Sequence, residues 1–181
     1  MNEPSVEIPL PTSLLAKIMK GEPTTVKRMR KINKIVAFLY RSYIAPLLGL
    51  GFIFVLMETV GRKTGKKRFT PVEYHLLYEN KITVISSRGR EADWVKNMKA
   101  NNTVRLHVGF KEYEAKALFI DNTDTKKELL KSYCVKYPLF SKILFGIDVR
   151  KNKHILDSEA FRSLADSLEF VAFEPINFSK Q

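Results

Sequence analysis

The sequence predicts a mainly β, α+β fold: a small antiparallel barrel of about six strands with helices packed outside it. Two observations support this prediction. Short β-rich segments recur through the second two thirds of the chain, and turn signals separate neighbouring segments. Crossover helices, which a parallel sheet requires, are missing between most of these segments. With 181 residues, 45% of them hydrophobic, the chain is long enough for one domain with a real core.

The N-terminal region is predicted to pack on the barrel. Residues 1–50 would supply an arm and helices, and residues 51–181 the barrel, within one structural domain overall. Met1–Thr12, which contains three prolines, is predicted to be a loose extended arm. It lacks the basic-then-apolar pattern of a secretory signal, so a cytoplasmic location is expected.

Apolar residues at helical spacing, with basic residues between them, predict a helix over Thr25–Tyr43. Pro46 and Gly49–Gly51 end this pattern. A short helix is also predicted at Leu14–Lys20, ending at Gly21. The later helices are predicted at Asp93–Lys99 with Asp93 as the cap, from a capping box at Thr125–Glu128 to about Val135, and at Asp157–Leu168.

Turn residues mark the ends of the predicted strands. Glu79–Lys81 is typical of a tight hairpin turn, and Gly109–Lys111 turns the chain again. Pro175 is expected to end the last strand, because proline cannot donate to a sheet. The strands are predicted at Phe52–Thr59, Thr70–Tyr78, Ile82–Ser86, Thr103–Val108, Tyr113–Ile120 and Phe170–Glu174.

The formal net charge of +12 favours anionic partners: nucleic acid, membrane headgroups or phosphorylated ligands. The charge is concentrated in two clusters, Lys27–Lys34 and Arg62–Arg68. A surface for single-stranded nucleic acid would interleave exposed aromatic residues with these cations. The aromatic residues lie mainly in apolar runs instead, so no specific nucleic-acid partner is expected.

Ile35–Val60 is apolar enough to resemble a membrane span, but Arg41, Pro46 and several glycines interrupt it. It is therefore predicted to be buried core. Because basic residues border apolar ones over Val26–Leu48, peripheral membrane contact is the alternative.

Cysteine and histidine give little indication of chemistry. Cys134 is the only cysteine, and it is predicted to be a small buried residue rather than a nucleophile. His75, His107 and His154 lack metal-ligand spacing, so no metal site is expected.

The segment Gly61–Arg68 is a glycine-punctuated basic turn. Glycine lets backbone approach a ligand closely, and an arginine fork can hold a phosphate through two hydrogen bonds. A solvated hairpin loop would have the same composition. The cations are Arg62, Lys63, Lys66, Lys67 and Arg68.

A second turn, Ser86–Asp93, follows the third predicted strand. Successive backbone N–H groups around Ser87–Gly89 suit an anion nest, and Arg88 adds a donor. A plain connecting loop, with Trp94 as a core anchor on the helix that follows, is the alternative.

Taken together, these residues resemble the deazaflavin-dependent nitroreductase family, among the split β-barrel flavin and deazaflavin oxidoreductases. The resemblance covers roughly Leu56–Val108. It rests on a series of motifs in the same order and spacing: Gly61-Arg62-Lys63-Thr64-Gly65, Arg68, Thr70-Pro71, Ser87-Arg88-Gly89 and Trp94-Val95-Lys96-Asn97-Met98-Lys99-Ala100-Asn101.

The resemblance implies a split β-barrel that binds coenzyme F-420, an 8-hydroxy-5-deazaflavin, and passes a hydride to an enone, quinone or nitro compound. Such barrels commonly pair, so a homodimer is compatible with it. The residues implied in cofactor binding are Arg62, Lys63, Lys66, Arg68, Thr70, Pro71, Val72, Ser86, Ser87, Arg88, Gly89, Trp94 and Asn97.

The same resemblance implies that Tyr133 and Tyr137, with Ser87, contact the acceptor and assist catalysis. One packed face of an amphipathic helix would explain the two tyrosines equally well. Flavin mononucleotide is the alternative cofactor, although the many cations favour the longer acidic tail of F-420. The chain departs from the family pattern at Arg90 and Asn102, and Lys151–Leu168 is an apparent insertion.

Overall fold

A computed structural model describes residues 23–42, 44–49 and 53–177 of the chain. The predicted arm at Met1–Thr12 and the predicted helix at Leu14–Lys20 lie outside the described residues. The helices are α1 (Pro23–Arg41), α2 (Ile44–Leu47), α3 (Asp93–Ala100), α4 (Thr123–Lys136), α5 (Pro138–Phe145) and α6 (Glu159–Ser167). The strands are β1 (Phe54–Val60), β2 (Lys67–Leu76), β3 (Ile82–Ser86), β4 (Thr103–Val108), β5 (Lys111–Ile120) and β6 (Glu169–Asn177).

The six strands form a closed barrel in the order β1-β2-β3-β6-β5-β4, and every neighbouring pair is antiparallel. The predicted fold class, an α+β split β-barrel with peripheral helices, is confirmed. Closure leaves no open sheet edge, and each strand turns one row of side chains into the barrel. The interior is filled by apolar side chains, among them Val55, Met57, Val84, Leu106 and Phe173.

The tight turn predicted between the second and third strands is also confirmed. Glu79 and Asn80 both have positive φ, at 47° and 56°. A type I′ turn, the usual tight turn of a β-hairpin, requires positive φ at both of its central residues. Asparagine tolerates this conformation readily, whereas glutamate adopts it at some cost in strain.

Several predicted element ends are wrong; the second strand, predicted at Thr70–Tyr78, runs from Lys67 to Leu76. Asp93 does not cap α3; Ala92 occupies the cap position, and Asp93 is the first helical residue. The capping box at Thr125–Glu128 is displaced, because α4 begins at Thr123 and the Asn122 side chain accepts from the Thr125 backbone N–H. Pro175 does not end β6, which continues to Asn177.

The continuation past Pro175 depends on an irregularity in the β5–β6 ladder. Ala115 pairs with Pro175 and Glu114 pairs with Asn177, so the register shifts by one residue between them. A bulge of this kind accommodates a residue that cannot donate a hydrogen bond.

A second apolar core lies outside the barrel, where α4 and α6 meet one face of the sheet. It includes Leu130, Phe161, Leu164 and Leu168 together with Phe170 of β6. The segment Lys151–Leu168, which looked like an insertion, supplies much of this core.

Helix α1 lies against the barrel through Ala37 and Tyr40, which pack on Leu56. The Tyr40 hydroxyl donates to the carbonyl of Phe54, and the Arg41 guanidinium lies 5.0 Å from the centre of the Phe69 ring. These contacts fix α1 beside the strands β1 and β2.

The prediction that Ile35–Val60 is buried core is wrong for its helical part. Ile35 and Phe38 are 61% and 65% exposed, because only one face of α1 meets the barrel, and Leu47 of α2 is 75% exposed. The strand part, Phe54–Val60, is largely buried. None of the helices in the described part of the chain has the length and hydrophobicity needed to cross a membrane.

Candidate active site

A cleft of about 1340 Å³ lies between α1, the strand β2, the helix α3 and the helices α4 and α5. It brings together residues that are far apart in the sequence. The predicted site residues that line it are Arg62, Lys63, Arg68, Thr70, Pro71, Val72, Ser86, Ser87, Arg88, Trp94, Asn97 and Tyr133. The predicted residues Lys66, Gly89 and Tyr137 are not among its lining residues.

The basic turn between β1 and β2 is closed by its own backbone. The Gly61 N–H donates to the Lys66 carbonyl at 2.9 Å, and the Gly65 N–H donates to the Gly61 carbonyl at 2.8 Å. Gly65 has a φ of +66°, where a side chain would be strained. The turn therefore presents its cations from a defined backbone conformation.

Arg62 joins this turn to the helix α3. Its side chain donates to the Asn97 Oδ1 at 3.0 Å and pairs with the Asp93 carboxylate at 3.2 Å, while its backbone N–H donates to the same Asn97 oxygen at 3.2 Å. Asn97 is buried, so this link is fixed. Asp93, the first residue of α3, contributes its carboxylate to this contact.

The remaining cations of the turn differ in their surroundings. Lys67 pairs with Glu58 at 2.7 Å. Among the described residues, Lys63 and Arg68 make no ion pair, and both line the cleft. Within the described part of the chain, the charge of Lys63 and Arg68 is therefore not neutralised by a carboxylate, whereas Arg62 and Lys67 each have one as a partner.

The turn after β3 has a backbone shape that suits an anion. Arg88 lies at φ −90° and ψ 8°, and Gly89 follows at φ +51°. A right-handed residue followed by a left-handed one is the backbone sequence of an anion nest. The Ser86 hydroxyl donates to the Gly89 carbonyl at 3.1 Å and closes the turn, while Ser87 and Arg88 line the cleft.

Gly89 has a packing reason to be glycine. A Cβ atom at this position would lie 2.4 Å from the carbonyl oxygen of Ser167, at the end of α6. The turn therefore approaches α6 more closely than any side chain permits. Gly89 lies behind the cleft wall, and its direct contact with a cofactor stays a prediction.

Gly89→Ala is expected to lower the free energy of unfolding by about 3 kcal/mol, since it combines backbone strain with a clash against backbone. Gly109→Ala is the matched control: Gly109 also has a positive φ, at +58°, but a Cβ there meets nothing within 4 Å. The control should lose about 1 kcal/mol from strain alone. Urea unfolding measures both, and equal losses would contradict the close approach to Ser167.

Beyond the cations, β2 places an acidic and an imidazole side chain on the cleft wall. Glu73 and His75 both line the cleft, and the Glu73 Oε1 lies 2.9 Å from the His75 Nε2. The sequence analysis missed both residues. The signal was present in the sequence, because alternate residues of a strand share one face, and Glu73 and His75 follow Pro71 in steps of two residues.

Two tyrosines enclose His75. The ring centroid of Tyr133 lies 4.9 Å from that of His75 in an edge-on arrangement, and the ring centroid of Tyr137 lies 4.4 Å away. Tyr133 also lines the cleft, whereas Tyr137 reaches the site through its contacts with His75 and Tyr133.

Tyr133 is almost fully buried, and its hydroxyl has no hydrogen-bond partner of normal geometry among the described residues. Burial, followed by the negative charge of Glu73, raises the pKa of Tyr133 above its ordinary value. The next residue, Cys134, is fully buried, and burial raises the pKa of its thiol to about 11. A thiol in this state is a poor nucleophile, which agrees with its predicted role as a small core residue.

Helix α1 forms the apolar wall opposite β2, a contribution that the sequence analysis did not foresee. Ile32, Val36 and Phe38 of α1 line the cleft together with Phe54 and Phe69 of the barrel. The cleft therefore has a cationic mouth at the basic turn and apolar walls beyond it.

The segment Lys151–Leu168 is not among the residues that line the cleft. Its helix α6 packs on α4 behind Tyr133, so it supports the site from outside. Within the described residues, no group of three or more histidine, cysteine, aspartate or glutamate side chains is arranged to hold a metal ion.

Comparison with protein families matches residues 34–148, more than half of the chain, to the family described as F420H(2)-dependent quinone reductase. The match covers β1 to β5 and all the residues predicted to line the site. No curated protein matches the chain.

Among solved structures, an F420-H2 dependent reductase is 22% identical, with 65% of this chain and 92% of that chain covered at a TM-score of 0.42. A conserved hypothetical protein from Mycobacterium tuberculosis is 10% identical, with 72% and 80% covered at a TM-score of 0.48. A NimC/NimA family protein from Clostridium acetobutylicum is 15% identical, with 76% and 82% covered at a TM-score of 0.44. Likeness at this level does not extend to a shared ligand or activity.

Proposed function

Because the chain belongs to the F420H(2)-dependent quinone reductase family, we propose that it is a deazaflavin-dependent oxidoreductase that reduces a small organic acceptor, such as a quinone, an enone or a nitro compound. The observation that carries the proposal is the cleft. It gathers the basic turn, the Ser86–Arg88 turn and the start of α3 around one volume. A cofactor with a long acidic tail requires this combination of cations and backbone donors.

The residues present fit the phosphate and acidic tail of coenzyme F-420. Lys63 and Arg68 face the cleft without a carboxylate partner among the described residues. Arg62 is held in place by Asn97, and the Arg88–Gly89 turn offers a backbone nest. We propose that these residues hold the tail. Flavin mononucleotide, with a single phosphate, would leave part of this charge without a partner.

The direction of β2 sets the orientation of a bound cofactor. Arg68 lies near the start of the strand and His75 near its end, seven residues later, which is roughly 24 Å along an extended strand. Thr70, Pro71 and Val72 line the cleft between them. We propose that the ring system lies against these residues, with its reactive face toward His75 and Tyr133.

When bound, reduced coenzyme F-420 supplies a hydride. The chain must then hold the acceptor against the ring and keep water away. Trp94 and the apolar wall of α1 exclude water from this part of the cleft. Tyr133 and Ser87 are proposed to contact the acceptor, since both line the cleft, and Tyr137 is proposed to position Tyr133. Helix α1 would thus complete the site from outside the barrel.

Equilibrium titration tests the proposal. Purified protein is titrated separately with coenzyme F-420 and with flavin mononucleotide at moderate salt, and ligand fluorescence is followed. Saturable deazaflavin binding with much weaker flavin binding is expected. Oxidation of the reduced cofactor is then followed with a soluble quinone, an enone and a nitro compound. Preference for flavin would overturn the cofactor assignment, and binding of neither would overturn the proposed function.

The exposed face of α1, whose Phe38 lies at the rim of the cleft, supports a second proposal, peripheral contact with an anionic membrane surface. Ile35 and Phe38 are more than half exposed and lie among the exposed cations Lys31, Lys34 and Arg41. Apolar side chains flanked by cations suit the boundary between anionic headgroups and acyl chains.

The double variant Ile35→Asp, Phe38→Asp is expected to reduce co-sedimentation with vesicles of anionic phospholipid at least tenfold, because two apolar anchors become charged. Val135→Asp is the matched control, since Val135 is 60% exposed on α4, away from the cations of α1. Unchanged sedimentation would contradict the membrane proposal. Light scattering tests the other occupant of this face. If the mass of the unaltered protein rises with concentration and that of the double variant does not, the face belongs to a homodimer instead.

A further inference from the structure

The contact between Glu73 and His75 has a geometry that suits proton transfer into the cleft. The Glu73 carboxylate lies 2.9 Å from Nε2, so this nitrogen is held as the one that donates to the carboxylate. Among the described residues, Nδ1 has no hydrogen-bond partner. Both side chains line the cleft, and His75 is mostly buried there. The second ring nitrogen is therefore the one available to a ligand.

The tyrosine beside this pair is a poorer source of protons. A phenol that loses its proton at Tyr133 would become a buried anion close to the Glu73 carboxylate, and both effects raise the pKa of Tyr133. By contrast, the imidazolium form of His75 and the Glu73 carboxylate carry opposite charges, so they attract each other. Imidazole is also the side chain that exchanges protons most readily near neutral pH.

We infer that His75, held by Glu73, is the proton donor to the acceptor, and that Tyr133 and Tyr137 shape its surroundings. The inference rests on the proposed function. A carbonyl acceptor that has received a hydride carries a negative oxygen. In the imidazolium form of His75 both ring nitrogens carry a proton. The N–H bond at Nδ1 breaks, its proton forms an O–H bond on the acceptor oxygen, and the bonding electron pair stays on Nδ1. The ring is then neutral with its proton on Nε2, and it later recovers a proton at Nδ1 from water. The protein itself is neither oxidised nor reduced.

The titratable groups in contact with the His75 ring come from two elements. Glu73 lies on the same strand, and Tyr133 and Tyr137 lie on α4 and at its end. The neighbouring residue across the sheet, Thr83 of β3, does not titrate. Glu73 is therefore the carboxylate in direct contact with the ring.

Nuclear magnetic resonance of the cofactor-free protein tests the pair without any activity assay. The chain has three histidines, and the His75 signal is assigned as the one lost in His75→Gln. The ring nitrogen-15 signals of His75 should show the proton on Nε2 in the unaltered protein, and this pattern should be lost in Glu73→Gln, because the carboxylate that accepts from Nε2 is gone. His107→Gln is the matched control: His107 lies 3.1 Å from Glu112 but outside the cleft, so the His75 signals should not change. An unchanged His75 pattern in Glu73→Gln would overturn the pair.

Single-turnover oxidation of bound reduced cofactor by a quinone tests the role of the pair. His75→Gln should slow the step about a hundredfold without changing cofactor affinity, since general acid catalysis contributes on this scale. Glu73→Gln should also slow the step, but less than His75→Gln does, because it removes the group that positions the ring and not the donor itself. A normal rate in His75→Gln would overturn the inference. If the unaltered protein reduces no acceptor, the proposed function fails, whatever the magnetic resonance measurement shows.

Discussion

Replacing Lys63 and Arg68 together by alanine is expected to weaken the binding of coenzyme F-420 by about a hundredfold or more. Both side chains line the cleft, and neither has a carboxylate partner among the described residues. A charge-assisted hydrogen bond contributes roughly 1.5–3 kcal/mol, and each 1.4 kcal/mol corresponds to a tenfold change in affinity. Fluorescence titration with the cofactor, at two salt concentrations, measures the change and its dependence on screening.

The same turn supplies the control. Lys66 belongs to the same basic segment but is not among the residues that line the cleft. Lys66→Ala removes the same kind of charge from the same loop, and it should change the affinity less than threefold. The unfolding free energy of the cofactor-free protein should stay within about 0.5 kcal/mol in both variants, because these side chains are exposed. Equal weakening by Lys66→Ala would show that the total charge of the turn, and not its geometry, holds the tail.

The barrel was predictable because its signals are local. Ile82–Ser86 and Thr103–Val108 were predicted with the bounds that the structure shows, since turn residues flank each strand. The ends of elements that depend on tertiary contacts were not. Asp93 looks like a helix cap in sequence, but it is the first residue of α3, where its carboxylate pairs with Arg62.

The cationic half of the site was predictable for a similar reason: its residues form compact motifs around two turns. The other half depends on how distant elements pack. Ile32 and Phe38 look like ordinary amphipathic helix residues, and only the docking of α1 through Tyr40 turns part of that helix toward the cleft. Glu73 and His75 lie in an unremarkable strand, and their importance follows from the approach of Tyr133 on α4.

The position of α4, and with it Tyr133, depends on a buried lysine. Lys126 is fully buried, and its ammonium group donates to the backbone carbonyl of Leu168 at 3.1 Å and to that of Asp166 at 3.4 Å. These carbonyls lie at the end of α6, where the last turn of a helix has no partners of its own. A cation also interacts favourably with the negative end of the helix dipole. One side chain therefore joins the two helices that form the outer core.

Lys126→Ala is expected to lower the free energy of unfolding by about 3–4 kcal/mol. The substitution removes a buried aliphatic stem, leaves a cavity, and leaves two carbonyls at the end of α6 without their donor. Lys127→Ala is the matched control, because Lys127 is adjacent but partly exposed, and it should change stability by less than about 0.5 kcal/mol. Urea unfolding, followed by circular dichroism, measures both. A loss below 1 kcal/mol in Lys126→Ala would mean that α4 and α6 are joined by their apolar contacts alone, and that the lysine only fills space between them.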